Sequence, residues 1–84
     1  MVYQIKILIE RKEGILNPEA MVIQNATRQL GYEVENFGCG KYFYYESKEP
    51  TEESAKKEAR DLSDRLLANP VIEKFKIISI KKIE

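Results

Sequence analysis

The residues of this chain with any claim to chemistry are few, and most lie in Gly38-Cys39-Gly40-Lys41-Tyr42-Phe43-Tyr44-Tyr45, where the only cysteine precedes a lysine and four aromatics. A phosphate-cradling loop needs GxxxxGK[ST] between a strand and a helix, and this stretch has neither the spacing nor the Ser/Thr. A cysteine nucleophile needs a base nearby, yet the chain has no histidine. One cysteine without histidine also excludes an intrachain disulfide and a multi-cysteine zinc site. The acid pairs Glu33/Glu35 and Glu52/Glu53 are simple solvent-facing or dipole-facing charges unless a cleft drives their pKa values apart. The sequence therefore offers no catalytic residue, no cofactor-binding residue and no metal ligand set.

The elements that must position these residues follow from periodicity. Val2 to Glu10 alternates, with Tyr3, Ile5, Ile7 and Ile9 on one face, and predicts a strand. Asn17-Pro18-Glu19 supplies a cap, a first-turn proline and an acid at the positive end of a helix over 18–30, whose apolar positions are Val22, Ile23, Ala26 and Leu30. Gly31 stops it. Glu33 to Glu46 reads as two strands joined by a turn near Gly38 to Lys41. Pro50-Thr51-Glu52-Glu53 starts a second helix over 52–68, with Ala55, Ala59, Leu62 and Leu66 inward and Glu52/Lys56, Glu53/Lys57 and Asp61/Arg65 as exposed i,i+4 pairs. Asn69-Pro70 breaks it, and Val71 to Ile83 is the last strand.

At 84 residues this is a single domain, 1–84. The order β-α-β-β-α-β predicts an α+β fold: a four-stranded antiparallel sheet with both helices on one face. The other face is left bare although the strands carry apolar residues on both sides, Tyr42 and Tyr44 on one face against Phe43 and Tyr45 on the other, so it is expected to serve oligomerisation, with Tyr42, Phe43, Tyr44 and Tyr45 in or beside the contact. RNA-recognition modules share this order and stack bases on strand aromatics, which makes an RNA binder using Tyr3, Tyr42 and Tyr44 the alternative. Against it, the K/R-G-F/Y-G/A-F-V-x-F/Y signature is not matched, and 14 Lys+Arg balance 14 Asp+Glu. No leader or membrane-spanning run is visible in the sequence, so a cytoplasmic location is expected.

Lys12-Glu13-Gly14-Ile15-Leu16-Asn17-Pro18, Leu30-Gly31-Tyr32, Gly40-Lys41 and Leu67-Ala68-Asn69-Pro70-Val71-Ile72-Glu73 occur in the order and with the gaps of the PurS family, which the chain resembles over nearly its whole length. Gly38 and Cys39 depart from that pattern, standing where relatives tend to have a longer side chain and an aliphatic one. PurS is the small subunit of phosphoribosylformylglycinamidine synthase, the ATP-dependent carbon-nitrogen ligase of purine biosynthesis that takes nitrogen from glutamine. The resemblance implies a non-catalytic assembly role beside a PurL-type synthetase and a PurQ-type glutaminase, with self-association as a dimer or tetramer. It implies no cofactor on this chain, ATP and Mg being expected on the large subunit. Neither nucleic acid nor membrane is an expected partner. Lys12 and Lys41, cations at a loop and a strand end, are the expected contacts with the other subunits.

Overall fold

Alternation of Tyr3, Ile5, Ile7 and Ile9 with Gln4, Lys6 and Leu8 builds the central strand, β1 (Tyr3–Arg11), and every second side chain from Tyr3 to Ile9 is buried. The computed structural model describes residues 1–84 and continues with α1 (Pro18–Gln29), β2 (Gly40–Ser47), α2 (Glu52–Leu62), a π-helical turn (Ser63–Leu67) and β3 (Glu73–Lys82). The sheet is antiparallel in the order β2-β1-β3. Ile5, Ile7 and Ile9 are completely enclosed beneath Ala55, Ala59 and Ala68, with Phe43, Tyr45, Leu67, Phe75, Ile77 and Ile80 around them. Burying each isoleucine is worth about 1.5–3 kcal/mol, and small alanines on α2 let the helix settle close to the sheet.

Thr51 caps α2 by accepting from the Ser54 N–H at 3.0 Å, and the Ser54 hydroxyl reciprocates at the Thr51 backbone N–H. At its other end the Ala68 N–H reaches back five residues to the Ser63 carbonyl at 2.9 Å. This π turn inserts one extra residue into the helical face. Consequently Leu67, not the expected Leu66, turns toward the core, and Leu66 is 73% exposed. Of the three expected i,i+4 pairs, Asp61–Arg65 closes at 3.2 Å between exposed side chains. A bulge lies in the β1–β3 pairing, where Lys6 faces Ser79 but Ile7 faces Ile77. Ile78 is the extra residue, which lets Ile77 and Ile80 both pack inward although three positions apart.

Two expectations are corrected. The sheet has three strands, not four, because residues 33–39 lie along α1 rather than beside β2. There the Val34 carbonyl accepts from Arg28 Nε and the Phe37 N–H donates to Gln24 Oε1, each at 2.9 Å, while Asn36 at φ 55° turns the chain between them. Side chains of α1 thus take hydrogen bonds that a neighbouring strand would otherwise make. Nor do both helices cover one sheet face. α2 lies over β1 and β3, whereas α1 stands off the end of the sheet where β1 leaves and β2 begins.

Candidate functional site

Pairing register separates the aromatic run into two surfaces. Phe43 and Tyr45 lie opposite Ile7 and Ile5, on the side covered by α2, while Tyr42 and Tyr44 lie opposite Leu8 and Lys6 on the uncovered side. The Tyr42 and Tyr44 rings are 5.7 Å apart at 38°, half or more exposed, and lie along the edge strand of that surface. Ile78, pushed out by the bulge, adds apolar surface on the opposite edge strand β3, with Lys6 and Leu8 of the middle strand between it and the tyrosines and Lys76 and Lys81 along β3 by register. Exposed aromatic and aliphatic side chains gathered on one uncovered sheet face mark a surface that can meet a partner.

The same register corrects the RNA reading. Tyr3 is 6% exposed and faces the core with Ile5, so it cannot share a stacking platform with Tyr42 and Tyr44 on the opposite side. Tyr45 also serves packing. Its hydroxyl is buried without a hydrogen-bond partner, and its pKa is raised above 10.0, first by burial and then by the negative charge of Glu58.

The positions expected to do something specific have local structural work. Gly40 opens β2 so close to β1 that a Cβ there would stand 2.1 Å from the Ile9 carbonyl oxygen, which no side chain can do. It sets the point from which Lys41 extends, exposed and opposite Ile9. Lys12 ties the loop after β1 to the turn before β3, its ammonium donating to the Pro70 carbonyl and its backbone N–H to Ile72 at 3.0 Å. Cys39 lies half-buried just before β2 rather than within a strand. Asn17 bridges it to α1: Oδ1 accepts from the Ala20 N–H at 3.3 Å, and Nδ2 donates to the Cys39 carbonyl at 3.2 Å. That double role was not visible in the sequence, where Asn17 reads as a cap alone.

The largest groove runs along α2 and is open, lined by Lys57, Glu58, Arg60, Asp61 and Asp64 with Phe75 its one apolar residue. Such a surface leaves its carboxylates solvated. No three His, Cys, Asp or Glu side chains come together where they could hold a metal ion. No helix is long and apolar enough to cross a membrane.

Comparison with known proteins gives a consistent result. The family model "PurS: Phosphoribosylformylglycinamidine (FGAM) synthase" matches residues 4–81. The PurS subunit of phosphoribosylformylglycinamidine synthase from Methanothermobacter thermautotrophicus is 37% identical over 84 residues, covering 100% of this chain and 99% of the relative. Thermus thermophilus PurS superposes with a TM-score of 0.89 at 31% identity, each chain covered over 100% of its length. A chain of Thermotoga maritima PurLQS has the same fold, with a TM-score of 0.86 at 22% identity, over 92% of this chain and 95% of that one.

Proposed function

The chain belongs to the PurS family, and from that premise we propose that it is a non-catalytic assembly subunit of phosphoribosylformylglycinamidine synthase. It works with PurL-type and PurQ-type subunits in the glutamine- and ATP-dependent conversion of formylglycinamide ribonucleotide to its amidine, in purine biosynthesis. The observation that carries this is the match to PurS chains from end to end, at identities well above those at which only the fold is shared. The neighbour within a PurLQS assembly supports the partner set. Solvated acids and a structural Lys12 favour assembly over catalysis. On this reading ATP and Mg bind the large subunit, and the complex works in the cytoplasm.

Copies of the chain associate through the uncovered sheet face, with Tyr42 and Tyr44 at the contact and Phe43 and Tyr45 buttressing it from behind. Lys41, free at the sheet end, is the better candidate than Lys12 for contact with another subunit. Reconstitution tests the assignment. With purified PurL- and PurQ-type partners, adding this chain should raise glutamine-dependent amidine formation and leave ammonia-dependent formation much less changed. Equal glutamine-dependent turnover with and without the chain would sink the proposal.

A further inference from the structure

We infer that the turn between α2 and β3 is a clasp that holds the end of α2 in its π register, and that opening it lets the helix relax to α geometry and exchange Leu66 for Leu67 against the core. The device is complete within one chain and holds whatever that chain assembles with.

The first observation is that the two registers are close alternatives. At about 100° per residue, an α-helix continued from Ala59 would bring Leu66 to within about 20° of the direction in which Ala59 is buried, and leave Leu67 about 80° away. The π turn over Ser63–Leu67 reverses that choice, so that Leu67 packs on the core and Leu66 is 73% exposed. Either register presents one leucine to the β1 isoleucines. The side chains exchanged are identical.

The second observation is that nothing inside α2 asks for the π turn. Ser63-Asp64-Arg65-Leu66-Leu67 contains no proline or glycine that would break the α ladder. π geometry is rare, and where it occurs as a single turn it is frequently at a functional site. Ser63, at the start of the turn, is completely buried and its hydroxyl has no hydrogen-bond partner, a cost that the π register leaves standing. The cause of the register therefore lies outside the helix.

The third observation supplies that cause. The Asn69 N–H, which a continued α-helix would direct to the Arg65 carbonyl, donates instead to Glu73 Oε1 at 2.7 Å. The Asn69 Oδ1 accepts from the Val71 N–H at 3.1 Å, and its backbone carbonyl accepts from the Glu73 N–H at 2.7 Å. Lys12 fastens this turn to the loop after β1, its ammonium donating to the Pro70 carbonyl and its N–H to the Ile72 carbonyl at 3.0 Å. With the turn fixed, one residue too many lies between Ser63 and Asn69, and the Ala68 N–H reaches Ser63 at 2.9 Å rather than Asp64. The Glu73 carboxylate and the Lys12 ammonium make the charge-assisted bonds of the clasp, so this pair decides whether Leu66 stands on the surface or beneath it.

The test places Leu66→Ala and Leu67→Ala in two backgrounds, the parent chain and a clasp-open chain carrying Lys12→Met with Glu73→Ala. Circular dichroism checks folding and urea unfolding gives stability. In the parent, Leu67→Ala should lower the ratio of folded to unfolded chain roughly tenfold or more, and Leu66→Ala about twofold at most. In the open chain the order should invert. Glu73→Gln, which keeps an acceptor oxygen, should preserve the parent order, and the Leu66 methyl groups should be shielded from a soluble paramagnetic probe only when the clasp is open. An unchanged order in the open chain, or an open chain that does not fold, overturns the inference. Deleting Leu66 is the second test, because it removes the surplus residue while the clasp stays closed. The deletion variant should fold with α2 continuous and with the Ala68–Ser63 bond now an ordinary α-helical one; failure to fold, or a π turn that persists, overturns the inference as well.

Discussion

The two helices have nearly the same length, each begins with a well-formed cap, and they end in opposite situations. α2 buries Ala55 and Ala59 completely and encloses the β1 isoleucines, whereas α1 buries Ala20 and turns Val22 and Leu30 to solvent. The difference is one of partners rather than propensity. Thr51 and Asn17 are both good caps, Glu52 and Glu19 both sit in a first turn, and each helix carries an apolar stripe at the correct period. A stripe fixes the side a helix must bury; it does not say whether the surface that covers it belongs to the same chain. An amphipathic helix left uncovered in an extended monomer marks where intramolecular folding stops and assembly begins.

The strongest way to break this comparison is to remove apolar atoms from both regions. Ile7→Ala opens a cavity in a fully enclosed site and should lower unfolding stability by about 2–5 kcal/mol at any protein concentration. Val22→Ala removes atoms that face water in the single chain, and should change stability by less than about 0.5 kcal/mol in dilute solution. Any larger effect should grow with concentration, because it comes through mass action on the associated form. Urea unfolding at two concentrations tens of fold apart reads both. Equal, concentration-independent losses would mean that α1 belongs to the core of its own chain.

The caps sharpen the contrast at a smaller scale. Thr51→Ala removes the hydroxyl that accepts from the Ser54 N–H and leaves only the backbone half of the capping box, on a helix that holds the core, and about 1 kcal/mol of global stability should go with it. Asn17→Ala removes the α1 cap and the link to the Cys39 carbonyl, but α1 contributes little to the core. Its effect should be local: amide exchange in the first turn of α1 accelerates while the thermal midpoint of the chain barely moves. Protection of α1 and α2 amides falling together in Asn17→Ala would show that the two helices unfold as one unit.

How far the sequence was legible follows from which interactions are local. The alternation from Tyr3 to Ile9 and the caps at Asn17 and Thr51 are short-range signals, and the elements they announce start within a residue of where they were expected, although the second helix, expected to run to 68, leaves α geometry at Leu62 and continues only as the π turn to Leu67. The opposition of Tyr42 and Tyr44 to Phe43 and Tyr45 was equally readable, since strand side chains alternate whatever the surroundings. Three features depended on distant competition. Leu66-Leu67 gives no hint that a π turn will select the second leucine, and Ile77-Ile78 gives none that a bulge will select the first. Glu33 to Phe37 has the composition of a strand, but Arg28 and Gln24 offer its backbone partners before β2 can. In the same way Tyr3 looked like a stacking residue only while it was unknown which face α2 would cover.

The smallest expected effect concerns the covered side, where Tyr45 carries a buried hydroxyl without a partner. Burial and then Glu58 on α2 raise its pKa above the 10.0 of a free tyrosine. Between pH 10 and that raised value the unfolded chain gives up the phenolic proton while the folded chain keeps it. The unfolded state then binds fewer protons, and stability must fall as pH rises. Below pH 10 this contribution is fully present, so Tyr45→Phe should be neutral to slightly stabilising at pH 7, because it deletes a polar group that nothing satisfies. Above pH 10 the variant should lose stability less steeply than the parent chain. Urea midpoints taken from pH 8 to 11 for both proteins test this, and parallel curves would mean that the hydroxyl is not enclosed beneath α2.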